Sequence, residues 1–298
     1  MICLLLWLLT QGQPPRAAFS SRADLVVLRV SVVDRQAGFV SGLPRDAFVV
    51  HEDGRPQPIE FFEHEDTPVT VGLIIDSSGS MLPRRASVIA AGMAFADSSH
   101  PADELFILHF NEQVWPGLPP GQRFTSDHGE LRRALDRSTS RGRTALFDAI
   151  RQGLRTLDEG HKTRKVLVVV SDGGDNASAT RFDEILDAAL RKDVVIYTIG
   201  IYDPNDPDAK PRLLRQLAEA TGGEAFFPRA NTEVTPLLER IARDIRSSYT
   251  VGYVPPAGAD RQRRRSVRVD VRSPDGRKLA VRARSSYINT AAPGPDGK

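Results

Sequence analysis

Residues 69–81 read Val-Thr-Val-Gly-Leu-Ile-Ile-Asp-Ser-Ser-Gly-Ser-Met, an apolar run that ends in a short polar box. The run Val69–Ile75 is typical of a buried β-strand. The box places one carboxylate, Asp76, and two hydroxyls, Ser78 and Ser80, on a single tight turn at the carboxyl end of that strand. Oxygen ligands of this kind suit a hard divalent cation such as Mg²⁺. The stretch therefore predicts a cation site at the edge of a sheet.

Two later segments carry side chains that complete this set of oxygen donors. Thr144, in Arg-Gly-Arg-Thr-Ala-Leu, offers a third hydroxyl, and Asp172, in Val-Val-Val-Ser-Asp-Gly-Gly, offers a second carboxylate after another apolar run. The three pieces, in this order, resemble the metal-ion-dependent adhesion site of von Willebrand factor type A (vWA) domains. The resemblance implies that the metal ligands are Asp76, Ser78, Ser80, Thr144 and Asp172. In the alternative interpretation, Asp76 and Ser78 only cap a helix.

The resemblance also implies a cofactor and a class of partner. In vWA domains one Mg²⁺ is bound by these groups, and a Glu or Asp of a partner protein acts as its external ligand; we expect Mn²⁺ to substitute. The proposed ligands carry two negative charges, so they balance Mg²⁺ without a surplus, and the neutral hydroxyls leave the ion electrophilic. Two further carboxylates near the motif, Asp148 and Asp175, are expected to cap a helix or face solvent, with an orienting role at the site as the alternative for Asp175.

The composition is that of an ordinary globular protein. The chain has 298 residues, of which 40% are hydrophobic and 26% charged, with a formal net charge of +2. This length leaves room for about two domains, and the small net charge gives no field that would attract nucleic acid. The basic run at 260–265, Asp-Arg-Gln-Arg-Arg-Arg, is interpreted as a solvated turn between two strands, since no aromatic side chains alternate with it. We therefore expect no nucleic-acid partner.

The first residues have the pattern of an export signal. Residues 1–10 read Met-Ile-Cys-Leu-Leu-Leu-Trp-Leu-Leu-Thr, too few apolar residues to span a bilayer but enough for the core of a secretory signal within residues 1–20. The single cysteine, Cys3, lies in this segment, so the processed chain would have no disulfide and no thiolate site. These features predict a secreted, periplasmic or cell-envelope protein whose mature chain has no integral membrane span.

Residues 67–248 alternate between apolar strands and amphipathic helices, as expected for one vWA domain. The predicted strands are Val69–Ile75, Leu105–Phe110, Val166–Val170, Val194–Ile199 and Ala225–Phe227. Apolar stripes at helical spacing begin at Val88, Leu146, Phe182 and Val234. This pattern is typical of an α/β fold with a doubly wound, mostly parallel sheet, Rossmann-like and covered by helices on both faces. Ligands of such sheets lie beyond the carboxyl ends of the strands, where the polar box also falls.

Two short β-rich segments flank this region. Residues 21–66 hold the strand-like run Leu25–Val33 and an Asp-Gly turn before a second strand at Ile59–Phe62, and residues 249–289 hold further strands. Neither segment has enough strands to be stable alone, so we expect the two to form one small β-sandwich-like domain. Both flanks resemble the ends of bacterial secreted VWFA-related domain proteins. The Pro/Gly-rich tail, residues 290–298, is expected to be disordered.

The sequence favours a binding module over an enzyme. Ser80 does not lie in a G-x-S-x-G elbow, the six histidines lack metal-ligand spacing, and no phosphate-binding glycine motif occurs. His109, on a predicted strand, is interpreted as a core or edge histidine. We therefore predict a Mg²⁺-dependent protein-interaction module with no catalytic residue and no bound organic cofactor. Two alternatives stay open: a metal-dependent hydrolase, and a structural protein of an envelope assembly whose metal only stiffens the fold.

Overall fold

The computed structural model describes residues 25–34, 38–64, 66–137, 141–201, 209–256 and 263–288. The predicted signal segment and the predicted disordered tail lie outside the described residues. So does half of the basic run at 260–265, whose last two residues, Arg264 and Arg265, begin a strand rather than a turn. In the described part of the chain, no helix is long and apolar enough to cross a membrane.

Fifteen strands and six α-helices are found in the described residues. The strands are β1 Val26–Asp34, β2 Gly38–Phe39, β3 Phe48–Glu52, β4 Arg55–Gln57, β5 Phe61–Glu63, β6 Val69–Asp76, β7 Glu104–Phe110, β8 Val114–Pro116, β9 Arg164–Ser171, β10 Val194–Gly200, β11 Ala225–Phe226, β12 Tyr249–Tyr253, β13 Arg264–Val271, β14 Leu279–Arg282 and β15 Ser286–Ile288. The helices are α1 Arg85–Ser98, α2 His128–Asp136, α3 Leu146–Asp158, α4 Phe182–Arg191, α5 Pro211–Thr221 and α6 Val234–Ser247.

The central sheet has six strands in the order β11-β10-β9-β6-β7-β8. All neighbours are parallel except β8, which pairs antiparallel with β7 at one edge. Helices α1, α2 and α6 pack on one face, and α3, α4 and α5 pack on the other. The predicted doubly wound, mostly parallel α/β fold is therefore confirmed. Two helices, α2 and α5, were not anticipated from the sequence.

One glycine inside the central strand β6 is required by packing. Gly72 faces Phe106 of β7 and Leu167 of β9, and a Cβ added at Gly72 would lie 2.2 Å from the ring of Phe106. A side chain at this position would force the neighbouring strands or their side chains apart. The glycine therefore lets two large core residues from the adjacent strands meet over β6.

The two flanks pair with each other in two further sheets. Strand β1 pairs antiparallel with β12 and β14, and β3 pairs antiparallel with β13. These sheets enclose a separate apolar cluster that includes the fully buried Leu28, Val50, Tyr249 and Tyr253. The flanking β structure is thus sandwich-like, as predicted from the sequence. The boundaries at residues 66/67 and 248/249 stay a prediction.

Two details of the flanks differ from the sequence-based expectation. The turn at Asp53-Gly54 leads directly into β4, so the hairpin partner of β3 is Arg55–Gln57 and not Ile59–Phe62. The later segment instead contributes β5, which pairs with β12. The Pro274-Asp275-Gly276 turn predicts that residues 278–284 return along the preceding strand, but β14 crosses to pair with β1. Alternating apolar residues identify a strand but not which edge it joins, because the partner is selected by long-range packing.

Partly buried ion pairs join the flank to the central domain. Arg282 of β14 contacts both Asp244 of α6 and Glu224, and the hydroxyl of Tyr197 donates to Asp244 Oδ2 at 2.9 Å. Arg29 of β1 lies 3.5 Å from Asp193, the residue that precedes β10. Because Asp193 stands at the amino end of its strand, this junction lies toward the sheet edge opposite the polar box.

Candidate metal site

The sheet places the two carboxylates at the same edge. Strands β6 and β9 are parallel neighbours, with Ile75 opposite Val170. Asp76 ends β6, and Asp172 directly follows the end of β9. Parallel strands that pair in this register bring their carboxyl ends together. Two acidic residues far apart in sequence therefore lie side by side.

Asp76 is buried and held by both of its oxygens. Its exposed fraction is 3%. Oδ1 accepts the backbone N–H of Ser78 at 2.8 Å, so the Asp76 side chain stabilises the turn that begins at Asp76. Oδ2 accepts the hydroxyl of Ser171 at 2.6 Å, from the last residue of β9. The carboxylate is thus fixed in orientation by its own turn and by the neighbouring strand β9.

The hydroxyls of the box connect this carboxylate turn to Asp172. Ser78 Oγ and Ser80 Oγ lie 3.1 Å apart, and the hydroxyl of Ser80 donates to Asp172 Oδ2. The backbone N–H of Gly174 donates to Asp172 Oδ1 at 3.2 Å, across a turn in which Gly173 has a φ of +84°. A left-handed conformation of this kind favours glycine. Four of the five predicted ligands therefore form one connected polar cluster.

Thr144 approaches the same cluster on a separate loop. Backbone bonds join this loop to the box: the N–H of Arg141 donates to Ser77 O at 3.0 Å, and the N–H of Gly79 donates to Gly142 O at 3.3 Å. Thr144 itself is buried, and its N–H donates to Asn176 Oδ1 at 3.0 Å. The structure thus brings the Thr144 loop alongside the box, although no direct bond of the Thr144 hydroxyl to the other four residues is formed.

The two carboxylates of the site lie close together, and their negative charges repel each other. Burial, and then the charge of Asp172, raise the pKa of Asp76 to about 6, although hydrogen bonds from Ser171 and Ser78 oppose the shift. Within the described residues neither carboxylate forms an ion pair. A divalent cation between them would offset both the repulsion and the loss of hydration. The donor set therefore fits a bound metal.

The donor chemistry restricts which metal the site would suit. The described residues contain no group of three or more His, Cys, Asp or Glu side chains that could hold a metal. A cation here would therefore be bound by two carboxylates together with neutral hydroxyl oxygens. Such all-oxygen sets match Mg²⁺ and Mn²⁺ better than metals that prefer nitrogen or sulfur ligands.

Two residues that support the site were not identified from the sequence. Ser171 orients Asp76, and Asn176 anchors the Thr144 loop by its side chain and by its N–H, which donates to Thr144 O at 3.0 Å. The sequence shows that Ser171 lies next to the predicted ligand Asp172. It does not show that the Ser171 hydroxyl bonds to Asp76 on β6. Nothing in the local sequence distinguishes Asn176 from an ordinary loop residue.

The two acidic residues expected near the motif bind backbone groups. Asp175 Oδ1 accepts the Ser178 hydroxyl at 2.6 Å and the N–H of Phe147 at 3.4 Å, in the first turn of α3. Asp148 Oδ2 accepts the N–H of Ala179 at 2.9 Å. These bonds tie the start of α3 to the loop that follows β9. The two side chains are therefore occupied in holding the loops around the site.

His109 is enclosed in the core next to the site. Its side chain is fully buried, its Nε2 lies 2.8 Å from Ala134 O, and its ring stacks on Trp115 at 5.8 Å between centroids. Burial lowers the pKa of His109 to about 4, so the imidazole is neutral at pH 7. Its Nδ1 faces the Ser77 hydroxyl at 3.4 Å. The histidine therefore packs under the turn and does not face solvent.

Comparisons with known proteins bear on the fold and on the family. The sequence profile described as the von Willebrand factor type A domain matches residues 71–241, more than half of the chain. No curated protein matches the chain.

Solved structures give a similar result at low sequence identity. A von Willebrand factor type A protein from Catenulispora acidiphila is 15% identical, covers 91% of this chain and 76% of its own, and has a TM-score of 0.52. The vWF domain of the type V pili tip protein Mfa5 from Porphyromonas gingivalis is 14% identical over 60% of this chain and 95% of its own, with a TM-score of 0.52. Proximal thread matrix protein 1 from the mussel byssus, solved with a zinc-occupied MIDAS motif, is 14% identical over 61% of this chain and 48% of its own, with a TM-score of 0.51.

Proposed function

Because this chain belongs to the von Willebrand factor type A domain family, we propose that it is a Mg²⁺-dependent protein-binding module. In this proposal Asp76, Ser78, Ser80, Thr144 and Asp172 hold the cation. The external ligand is a Glu or Asp carboxylate of a partner protein. The cation supplies the electrophilic contact for that carboxylate, and the protein residues hold and orient the ion.

One observation supports the proposal most directly: a buried carboxylate pair bridged by hydroxyls that opens to solvent on one side. Asp76, Ser78, Thr144 and Asp172 are all buried, whereas Ser80, which donates to Asp172, is exposed. The two carboxylates match the charge of a divalent ion, and the hydroxyls add no further charge. A bound cation would therefore keep an affinity for an anionic group that arrives from the exposed side.

The identity of the metal is part of the proposal. The mussel byssus protein holds zinc at its motif. In this chain the candidate donors are oxygen atoms only. Zinc prefers imidazole and thiolate ligands, whereas Mg²⁺ prefers oxygen. We therefore propose Mg²⁺ as the resident ion, with Mn²⁺ as a substitute.

The hydrolase alternative has less support from the structure. A hydrolytic site needs a group that moves a proton to or from the reacting atoms. His109, the histidine that contacts the polar box, has no exposed surface, so it cannot reach a substrate. Its pKa is also lowered, to about 4. The role of the site as a purely structural metal centre is the alternative that binding experiments have to exclude.

We also propose that the protein acts outside the cytoplasm, in the cell envelope or the surrounding medium. This proposal is supported by the apolar segment at residues 1–10. A structural neighbour is a pilus tip protein. No nucleic-acid partner is proposed, because the chain is nearly neutral.

The test is retention of an envelope protein that depends on both the metal and the site. The full chain is immobilised, exposed to native envelope extract with Mg²⁺, and eluted with chelator. Thr144→Ala removes a neutral ligand and should abolish retention, whereas Thr163→Ala should not, because Thr163 is an exposed threonine just before β9, at the amino end of the sheet. If the envelope protein is retained in the presence of chelator and also by the Thr144→Ala variant, the cation does not take part in partner binding and has only a structural role. Hydrolysis of an extract component that needs Mg²⁺ would support the enzyme instead.

A further inference from the structure

The loops that carry the candidate ligands also carry three arginines. Arg84 follows Ser80 by four residues and its Nη1 donates to Ser80 O at 2.9 Å. Arg141 and Arg143 flank Gly142, directly before Thr144. Backbone bonds between residues 77–79 and residues 141–142 hold the two segments side by side. We call the surface that these two segments form the rim of the site. The three arginines therefore lie on the two segments that border the site.

These arginines are not neutralised by the rest of the described chain. Arg84 is half-buried, and Arg141 and Arg143 are exposed. Arg143 Nη1 lies 3.4 Å from Asn176 O, a backbone oxygen. Within the described residues none of the three guanidinium groups forms an ion pair. By contrast, the exposed Arg123 and Arg181 pair with acidic neighbours.

One acidic group lies among them. Glu112 accepts the backbone N–H of Arg143 at 3.0 Å, and its carboxylate fills the space beside Gly142. The charges of Asp76 and Asp172 lie below the rim and would be balanced by a divalent cation. Three arginines against one exposed carboxylate leave the rim positive.

An apolar side chain stands on the same turn. Leu82 is 60% exposed, the highest value among the exposed large apolar side chains of the described residues. Its neighbour Met81 is 2% exposed and fills the core beneath. A single exposed leucine is normal on a protein surface, but this one lies two residues after Ser80, between the box and Arg84. Its position, rather than its exposure alone, makes it part of the rim.

We propose that the partner segment is acidic along its length and carries an apolar side chain beside the metal-binding carboxylate. This inference rests on the proposed function. The carboxylates that flank the metal-binding residue pair with Arg84, Arg141 and Arg143, and the apolar side chain covers Leu82. The rim thereby selects among the many acidic residues that could otherwise reach a bound cation.

The physical roles of the two parts differ. Rim charges mainly accelerate association and reject partners of the wrong charge, and salt screens them. Contact with Leu82 removes apolar surface from water, which salt does not weaken. The arginines should therefore determine how strongly the binding affinity depends on salt. Leu82 should determine the part of the affinity that persists in high salt.

The test uses the full chain and short synthetic peptides fixed to a sensor surface, each with one central glutamate. One peptide has aspartates on both sides and a leucine next to the glutamate. Three others replace the aspartates by asparagine, the leucine by serine, or the central glutamate by glutamine. With Mg²⁺ at low salt, we expect the asparagine peptide to bind about tenfold more weakly than the first, a preference that shrinks at high salt.

Variants assign the preference to the rim. Combined Arg84→Gln and Arg143→Gln should remove most of the preference for aspartate flanks, whereas Arg155→Gln, an exposed arginine near the far end of α3, should keep it. Leu82→Ser should remove the preference for leucine, and Val254→Ser, at another exposed apolar residue, should not. Thermal unfolding of each variant with Mg²⁺ controls for folding.

The outcomes separate this inference from the proposed function. If binding needs Mg²⁺ and the central glutamate but ignores the flanking residues, the rim inference is overturned and the metal site stands. A preference for aspartate flanks that persists unchanged in the double arginine variant overturns it as well. If no peptide binds in a Mg²⁺-dependent way, or the glutamine peptide binds equally well, the proposed function fails and the inference fails with it.

Discussion

The hydroxyl of Ser171 donates a 2.6 Å hydrogen bond to Asp76 Oδ2, from the last residue of β9 to the last residue of β6. The other oxygen of Asp76 accepts the N–H of Ser78 at 2.8 Å. The carboxylate therefore has one bond within its own turn and one across the sheet. This arrangement fixes the direction of its remaining lone pairs before any cation arrives.

Ser171→Ala should weaken metal binding even though Ser171 is not a proposed ligand. Loss of an orienting hydrogen bond to a metal ligand reduces affinity by about tenfold or more. Calorimetric titration of Mg²⁺ into wild type and Ser171→Ala measures the effect. Ser178→Ala, which removes a similar 2.6 Å bond to Asp175, is the matched control and should change the affinity little. Equal affinities in wild type and Ser171→Ala would show that the bond does not preorganise Asp76.

His109 should make the protein less stable in acid. Its pKa falls from the usual 6.5 to about 4 because of burial, and Arg85 is the charged group that adds to the shift. The unfolded chain therefore binds a proton between pH 6.5 and 4 that the native state does not. The stability from this group is full above pH 6.5 and is lost as pH falls toward 4, by about 3 kcal/mol at most.

The comparison with His109→Gln isolates this contribution from that of other groups. Glutamine can still donate to Ala134 O but does not titrate. In urea unfolding at several pH values, the difference in free energy of unfolding between wild type and variant should shrink as pH falls below 6.5. A difference that stays constant across this range would contradict the lowered pKa.

Arg282 should stabilise the junction between the flank and the central domain. Its guanidinium contacts Asp244, a carboxyl that is 2% exposed. Arg282→Leu would remove the direct ion-pair partner of that buried carboxyl, at a cost of about 3 kcal/mol. Adding Asp244→Asn should recover part of this loss. Denaturant unfolding of the double-mutant cycle checks the coupling, and Arg268→Leu, at an exposed ion pair, should cost less than about 1 kcal/mol. Additive effects of the two substitutions would show that the pair is not coupled.

The flanks should depend on each other for folding. Within residues 20–66, β1 and β3 pair with the short strands β2 and β4. Their longer partners are β12, β13 and β14, which lie more than two hundred residues later. A fragment of residues 20–66 should therefore show no cooperative thermal unfolding. The fragment 67–248 should unfold cooperatively but at a lower temperature than the full chain, because it lacks Arg282. Cooperative unfolding of 20–66 alone would refute the proposed composite domain.

The sequence was sufficient for the centre of the fold. Strands β6 and β9 are buried on both faces, so their sequences are continuous apolar runs. Helices α3 and α6 carry long apolar stripes. By contrast, α2 has only three buried residues over nine positions. Short helices of this kind give too few repeats for a period to be recognised.

The remaining features depend on contacts distant in sequence. The pairing of β14 with β1 joins Arg282 to Ser31, and the bond from Ser171 to Asp76 spans 95 residues. Local patterns specify that a strand exists and which residues alternate, but not its neighbour. The supporting roles of Ser171 and Asn176 could therefore be recognised only once the strands and loops were placed.

The most direct measurement is a calorimetric titration of Mg²⁺ into wild type and Asp76→Ala at neutral pH. Asp76 supplies one of the two charges of the candidate site, and alanine cannot replace it. We expect the dissociation constant to rise at least tenfold, which is about 1.4 kcal/mol or more. The variant should still unfold cooperatively in chelator, because a carboxylate whose pKa is raised by burial contributes little to folding. An unchanged dissociation constant in Asp76→Ala would contradict the assignment of the metal site.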